Sequence, residues 1–120
     1  MKEQLISFET AKLAKEKGFD IEVNQYFKEA FPENLMNHNV NCNFNKYIEL
    51  CCSAPTQSLL QKWLREIFGY EVLLDIDLNL DYFVCIKHRD KGLLFESKNT
   101  FKTYEEALEK GLQESLKLIK

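Results

Sequence analysis

Glycine and proline are scarce in this sequence, at four and two copies, and only two histidines and one tryptophan occur among its 120 residues. The glycines stand at 18, 69, 92 and 111, too far apart for a Gly-rich loop that cradles phosphate. Two histidines leave little material for acid/base work near neutral pH. No Pro-, Gly- or Ser-rich stretch marks a linker. No apolar run approaches the roughly 20 residues that span a bilayer, and no basic, apolar, small-residue leader opens the chain, so neither membrane insertion nor export is expected. Positive charge is not in surplus: 16 Lys+Arg stand against 19 Asp+Glu, a net charge of −3, which removes the broad footprint of a general nucleic-acid binder. Cys42, Cys51, Cys52 and Cys85 are too sparse for a disulfide scaffold, and adjacent Cys51 and Cys52 would diverge from an extended segment. Reduced cytoplasmic thiols are the simplest account.

What is present is an ordinary globular composition, 45% hydrophobic and 29% charged. The length suits one domain over residues 1–120, able to bury a core without metal or disulfide support. Three helices carry start and stop chemistry. Ser7 is an N-cap for a helix from Phe8 to Lys17, with Phe8, Ala11 and Ala14 as its stripe and Gly18 at the left-handed stop. After Pro55 and Thr56, the residues Leu59, Leu60, Trp63, Leu64, Ile67 and Phe68 follow helical spacing up to Gly69. Thr103-x-x-Glu106 is a capping box opening a third helix, whose face holds Tyr104, Ala107, Leu108, Gly111, Leu112, Leu116 and Ile119. Gly111 in mid-helix suggests close approach to a sheet.

Between the second and third helices the apolar period switches to two. Val72, Leu74 and Ile76 form one triplet and Tyr82, Val84 and Ile86 the next. A five-residue loop from Asp77 to Asp81 keeps both on one face. A short turn over Arg89–Gly92 then pairs Ile86 with Phe95 and His88 with Leu93, which adds Leu93 and Phe95 to that core face. Residues 55–119 therefore read α-β-β-β-α. Over residues 1–54, an N-terminal helix is joined by a strand pair at Tyr26–Ala30 and Tyr47–Cys52. An Asn-rich segment at 37–45 is expected to be an irregular loop, because Asn favours turns over strands. The fold class is α+β: an antiparallel sheet of three to five strands, packed by two main helices near 56–68 and 103–119, with the N-terminal helix as an addition.

Side chains that bear chemistry are dispersed. Asp75, Asp77, Asn79 and Asp81 have the spacing of a calcium loop, but Leu80 and Ile86 occupy the places that an EF-hand gives to Gly and a bidentate acid. Asp75 and Asp77 are thus the first cation ligands to test, and the solvated side of two strands and their connecting loop explains them as well. His38, Cys42, Cys51 and Cys52 lack the converging Cys-x2-4-Cys geometry of zinc sites. No local nucleophile, base and orienting group occur together, so neither catalytic residues nor a cofactor are assigned. Lys87, Arg89 and Lys91 form a basic tip that suits phosphate, although solvated turns carry such charges routinely. The sheet face opposite the core holds Leu73, Phe83 and Leu94, too apolar to be left to water. It is expected to be covered by the first 50 residues or by another protein, including a second copy of this chain.

The α-β-β-β-α order resembles double-stranded RNA-binding domains, which implies contacts to phosphate and 2′-hydroxyl groups. That family opens its second helix with lysines. Here Thr103-Tyr104-Glu105-Glu106-Ala107 stands in that place, and its carboxylates would repel phosphate. Ser7-Phe8-Glu9-Thr10-Ala11 to Gly18-Phe19-Asp20, Ala54-Pro55-Thr56 to Trp63-Leu64-Arg65-Glu66, and Phe101-Lys102-Thr103-Tyr104-Glu105-Glu106-Ala107 together resemble a family of small uncharacterised bacterial and prophage proteins. That resemblance implies a stand-alone α+β domain without an assigned activity. The combined expectation is a non-enzymatic protein-binding or accessory module, with a nucleic-acid-associated protein as the alternative.

Overall fold

The computed structural model describes residues 3–47 and 50–120. Its order is α1 (Phe8–Glu16), β1 (Val23–Lys28), β2 (Phe31–Cys42), α2 (Phe44–Tyr47), β3 (Cys51–Ser53), α3 (Gln57–Trp63), β4 (Tyr70–Ile76), β5 (Tyr82–His88), β6 (Gly92–Glu96) and α4 (Tyr104–Leu118). The strands form two antiparallel three-stranded sheets, β2-β1-β3 and β4-β5-β6, so the class is α+β with an N-terminal helix. The chain divides into two compact units, Met1–Thr56 and Gln57–Lys120.

In the first unit, the Ser7 hydroxyl caps α1 by accepting from the Thr10 amide at 3.3 Å. Gly18, at φ +90°, closes the helix in the left-handed form, and the Phe19 amide reaches back to the Ala14 carbonyl at 3.0 Å. This turn drives Phe19 into the core with Ala11, Ala14, Phe27 and Phe44, all nearly or fully buried. β1 is the central strand, and Tyr26, Phe27 and Lys28 pair with Ser53, Cys52 and Cys51. The strand pair expected at Tyr26–Ala30 and Tyr47–Cys52 is found with other bounds: the first strand starts earlier and leaves Glu29 and Ala30 in a turn, Tyr47 falls in α2, and Ile48 and Glu49 lie outside the described residues.

The Asn-rich segment departs from expectation. Residues 31–42 form strand β2 rather than an irregular loop. The physical reason is that β1 supplies the missing backbone partners, with Gln25, Tyr26 and Phe27 opposite Asn37, Met36 and Leu35. The turn chemistry of Asn shows in how β2 is interrupted: its register jumps from Asn37 to Cys42 while β1 advances only from Gln25 to Val23. Asn37 accepts from Gln25 Nε2 at 3.0 Å. Beyond the strand, Asn45 donates to the Phe19 carbonyl at 3.0 Å and accepts from the Ser53 amide at 2.9 Å. A polar side chain there satisfies buried main chain that β pairing does not reach.

In the second unit, α3 continues as one π-helical turn, Leu64–Phe68, before Gly69 at φ +73° ends it. The wider turn brings residues five apart onto one side, so Trp63 and Phe68 meet edge to face at 5.1 Å. It also turns Ile67 out of the expected stripe, leaving it 62% exposed. α4 begins at Thr103, whose hydroxyl accepts from the Glu106 amide and donates to the Glu106 carboxylate, both at 3.1 Å. The carboxylate bonds the capping hydroxyl, a variation on the reciprocal box that the sequence suggested.

Register in the β4–β5 hairpin follows the alternation: Val72, Leu74 and Ile76 face Ile86, Val84 and Tyr82. Between β5 and β6, Ile86 pairs with Phe95 as expected, but Lys87 pairs with Leu93 and His88 with Gly92. Leu94 is therefore an extra residue, and the bulge sends Leu93 away from the core face to a position 56% exposed. Ile76, at the strand end, is also exposed. α4 lies against β4 and β5, with Ala107, Leu108, Leu112 and Leu116 buried.

The contact that fixes this packing is Gly111. A Cβ there would stand 2.5 Å from Val84 Cγ2 and 2.7 Å from Val72 Cγ1. Gly111→Ala is therefore expected to destabilise the protein by about 1–3 kcal/mol through overpacking, outweighing its gain of about 1 kcal/mol in helix propensity, as chemical denaturation would measure. Thiol chemistry offers a second check. Burial raises the pKa of Cys51 and Cys52, which are 5% and 0% exposed. With fewer thiolates and no access, these two should resist alkylation at pH 8 until the chain unfolds, while Cys42, half-buried, reacts in the native protein.

Candidate functional site

The second unit brings the chemistry-bearing residues singled out in the sequence onto one small sheet, in four separate places. The outer face of β4-β5-β6, away from α4, has Leu73 beside Cys85, Phe83 beside Asp75 and Leu93 beside Lys87. Leu73 is 41% exposed and Phe83 is half-buried. Leu94, expected on this face with Leu73 and Phe83, lies elsewhere because it is the extra residue of the bulge. Leu93 takes its place.

Leu94 instead lines a groove of about 470 Å³ with Phe95, Phe101 and Lys110 of α4. Lys98 and Glu96 complete its charged rim. The wall is held in place by main-chain bonds. After β6 the chain steps outward, and Phe101 returns to exchange two hydrogen bonds of 2.8 Å with Tyr82. Within the step, the Ser97 hydroxyl donates to the Asn99 carbonyl at 3.0 Å and accepts from the Val84 amide at 3.1 Å. The Lys110 ammonium lies 2.9 Å from Glu114, which also has Lys117 at 3.5 Å. The Glu114 carboxyl is held below its usual range, first by the hydrogen bond from Lys110.

The basic residues Lys87, Arg89 and Lys91 are all exposed at the β5–β6 hairpin end. Their turn is organised by His88, whose Nδ1 accepts from the Asp90 amide at 3.1 Å and whose ring meets Tyr70 at 6.0 Å. Gly69 passes close by, since a Cβ on it would stand 3.3 Å from His88 Nε2.

The β4–β5 turn shows what the acidic residues do. Asp77 Oδ1 accepts from the amides of Asn79 at 2.9 Å and Asp81 at 3.0 Å. Asp75 Oδ1 accepts from the Ile76 amide, and Asp81 pairs with Lys102 at 2.9 Å. Hydrogen bonding to Asp81, reinforced by its charge, raises the Lys102 pKa. The carboxylates are engaged in turn construction, and among the described residues no group of three or more His, Cys, Asp or Glu is placed to hold a metal ion.

The same turn carries a feature the sequence reading passed over. Leu78 is fully exposed, Leu80 is 71% exposed, and Leu80 adopts φ +62°, the one non-glycine residue with positive φ among those described. The signal was Asp77-Leu78-Asn79-Leu80-Asp81: two leucines where a hairpin turn wants polar residues or glycine.

If the turn is the purpose of these carboxylates, calcium, magnesium and manganese should leave the melting midpoint unchanged, whereas Asp77→Ala should lower stability by about 1 kcal/mol by releasing two amides. No helix among the described residues is long and apolar enough to cross a membrane. No protein-family model, curated protein or solved structure matches the chain.

Proposed function

We propose that this protein is a non-enzymatic binding module that engages another protein through the outer face of the β4-β5-β6 sheet. The observation that carries this reading is that Leu73, Phe83 and Leu93 share this face, two exposed leucines and a half-buried phenylalanine on one side of adjacent strands. Side chains of this type exposed together are a feature of interaction sites. Four free cysteines fit a reducing cytoplasm, and the resemblance to small prophage proteins fits an accessory role in a mobile element.

A second reading has its own support. Lys87, Arg89 and Lys91 are exposed on one hairpin within a unit of α-β-β-β-α order, which suits phosphate contacts of the double-stranded RNA-binding kind. Glu105 and Glu106, exposed in the first turn of α4, oppose it by repelling phosphate.

A tagged pull-down from host cells, with and without nuclease, separates the two. The first reading predicts a stoichiometric protein that survives nuclease and is lost with Leu73→Ser plus Leu93→Ser. Salt-sensitive recovery of RNA, weakened by Arg89→Glu, would replace it with the second.

A further inference from the structure

We propose that the β4–β5 turn is a docking plug for a second copy of this chain, with Leu78 and Leu80 of one copy seated in the groove beside β6 of the other. The two surfaces complement each other in shape and charge. The turn projects two leucine side chains, exposed at 103% and 71%. The groove offers Leu94, Phe95 and Phe101 around about 470 Å³, the volume range of small ligand sites and roomy enough for two such side chains. Around the leucines stand three carboxylates, Asp75, Asp77 and Asp81, against one ammonium, Lys102. Around the groove stand two ammoniums, Lys98 and Lys110, against one carboxylate, Glu96. Glu114 does not cancel Lys110 alone, since it is shared with Lys117. A turn with excess negative charge thus meets a groove with excess positive charge.

Backbone strain points the same way. Leucine at φ +62° is unfavourable, and Asn or Gly would hold the turn at lower cost. A leucine kept there, with most of its surface in water, serves a contact outside its own fold.

The groove runs along β6 from Leu94 and Phe95, level with Ile86, to Phe101 at the turn end of the sheet. Phe101 of the groove pairs with Tyr82, the residue that follows the turn. One two-fold axis through that end seats both plugs in both grooves, which closes the assembly as a dimer. This surface is separate from the outer sheet face, and the dimer does not depend on the function proposed above.

The test uses sedimentation equilibrium of the full chain over a range of concentrations and salt. Wild type should dimerise, less tightly as salt rises. Leu78→Asp with Leu80→Asn should weaken association at least about tenfold while leaving the monomer no less stable, because Asn tolerates the left-handed turn. Lys98→Glu with Lys110→Gln should also be monomeric. The decisive arm mixes these two double variants, each confirmed as folded by circular dichroism. One intact plug and one intact groove then meet, and a heterodimer should appear that neither variant forms with itself. A monomeric wild type, a plug variant that dimerises like wild type, or no heterodimer on mixing would each overturn the proposal. So would insertion of Leu78 and Leu80 into neutral phosphatidylcholine vesicles by a protein that stays monomeric, since that would assign the leucines to a lipid surface.

Discussion

The second unit depends on how near a helix can come to a sheet. Gly111 faces Val72 on β4 and Val84 on β5, with no room for even a methyl group between them. The two valines are stiff at χ1 and cannot swing aside, so the spacing is set by the residue that has no side chain. Leu108 and Leu112, on either side of it along the helix, are buried at 4% and 0% exposure. α4 is centred over β4 and β5 and reaches the space beside β6 through Lys110. The groove lined by Phe95 and Phe101 is the space that remains.

The first unit is held by a different economy. Its helices are short and its apolar stripe is small, and polar side chains complete the main-chain bonding. Asn45 joins the Phe19 carbonyl to the Ser53 amide, and the Lys15 ammonium donates to the Cys51 carbonyl at 2.7 Å. β3 is buried along its whole length, so its backbone has no recourse to water. The asparagines that look like loop formers in the sequence serve here as substitutes for strand partners.

Local rules carried the sequence reading far in some places and failed in others for definite reasons. Ser7, Gly18, Gly69 and Thr103 mark their helix ends correctly because capping is decided within a few residues. The pairing of Val72 with Ile86 and of Ile76 with Tyr82 follows from alternation and loop length alone. The bulge at Leu94 was hidden, since Leu93-Leu94-Phe95 is apolar throughout and offers no alternation to count. The π turn after Trp63 was hidden too: Ile67 and Phe68 both look like core residues, and only the wider turn, which sets Phe68 against Trp63, leaves Ile67 exposed. In β2, neighbouring β1 overrode the weak strand propensity of Asn. The exposed leucines at 78 and 80 were legible as an anomaly, but only their exposure and the backbone sign at Leu80 give the anomaly a meaning.

The bulge in β6 also governs how this protein meets its surroundings. An edge strand of even register presents a regular row of amides and carbonyls on which a further strand can grow, and then another. Here Leu94 breaks the row midway, and Lys91 and Lys98 flank it with charge that repels a like strand. Open-ended stacking is therefore blocked at the backbone. Any contact made on this edge is left to side chains, whose sites can be saturated, rather than to backbone pairing that can repeat.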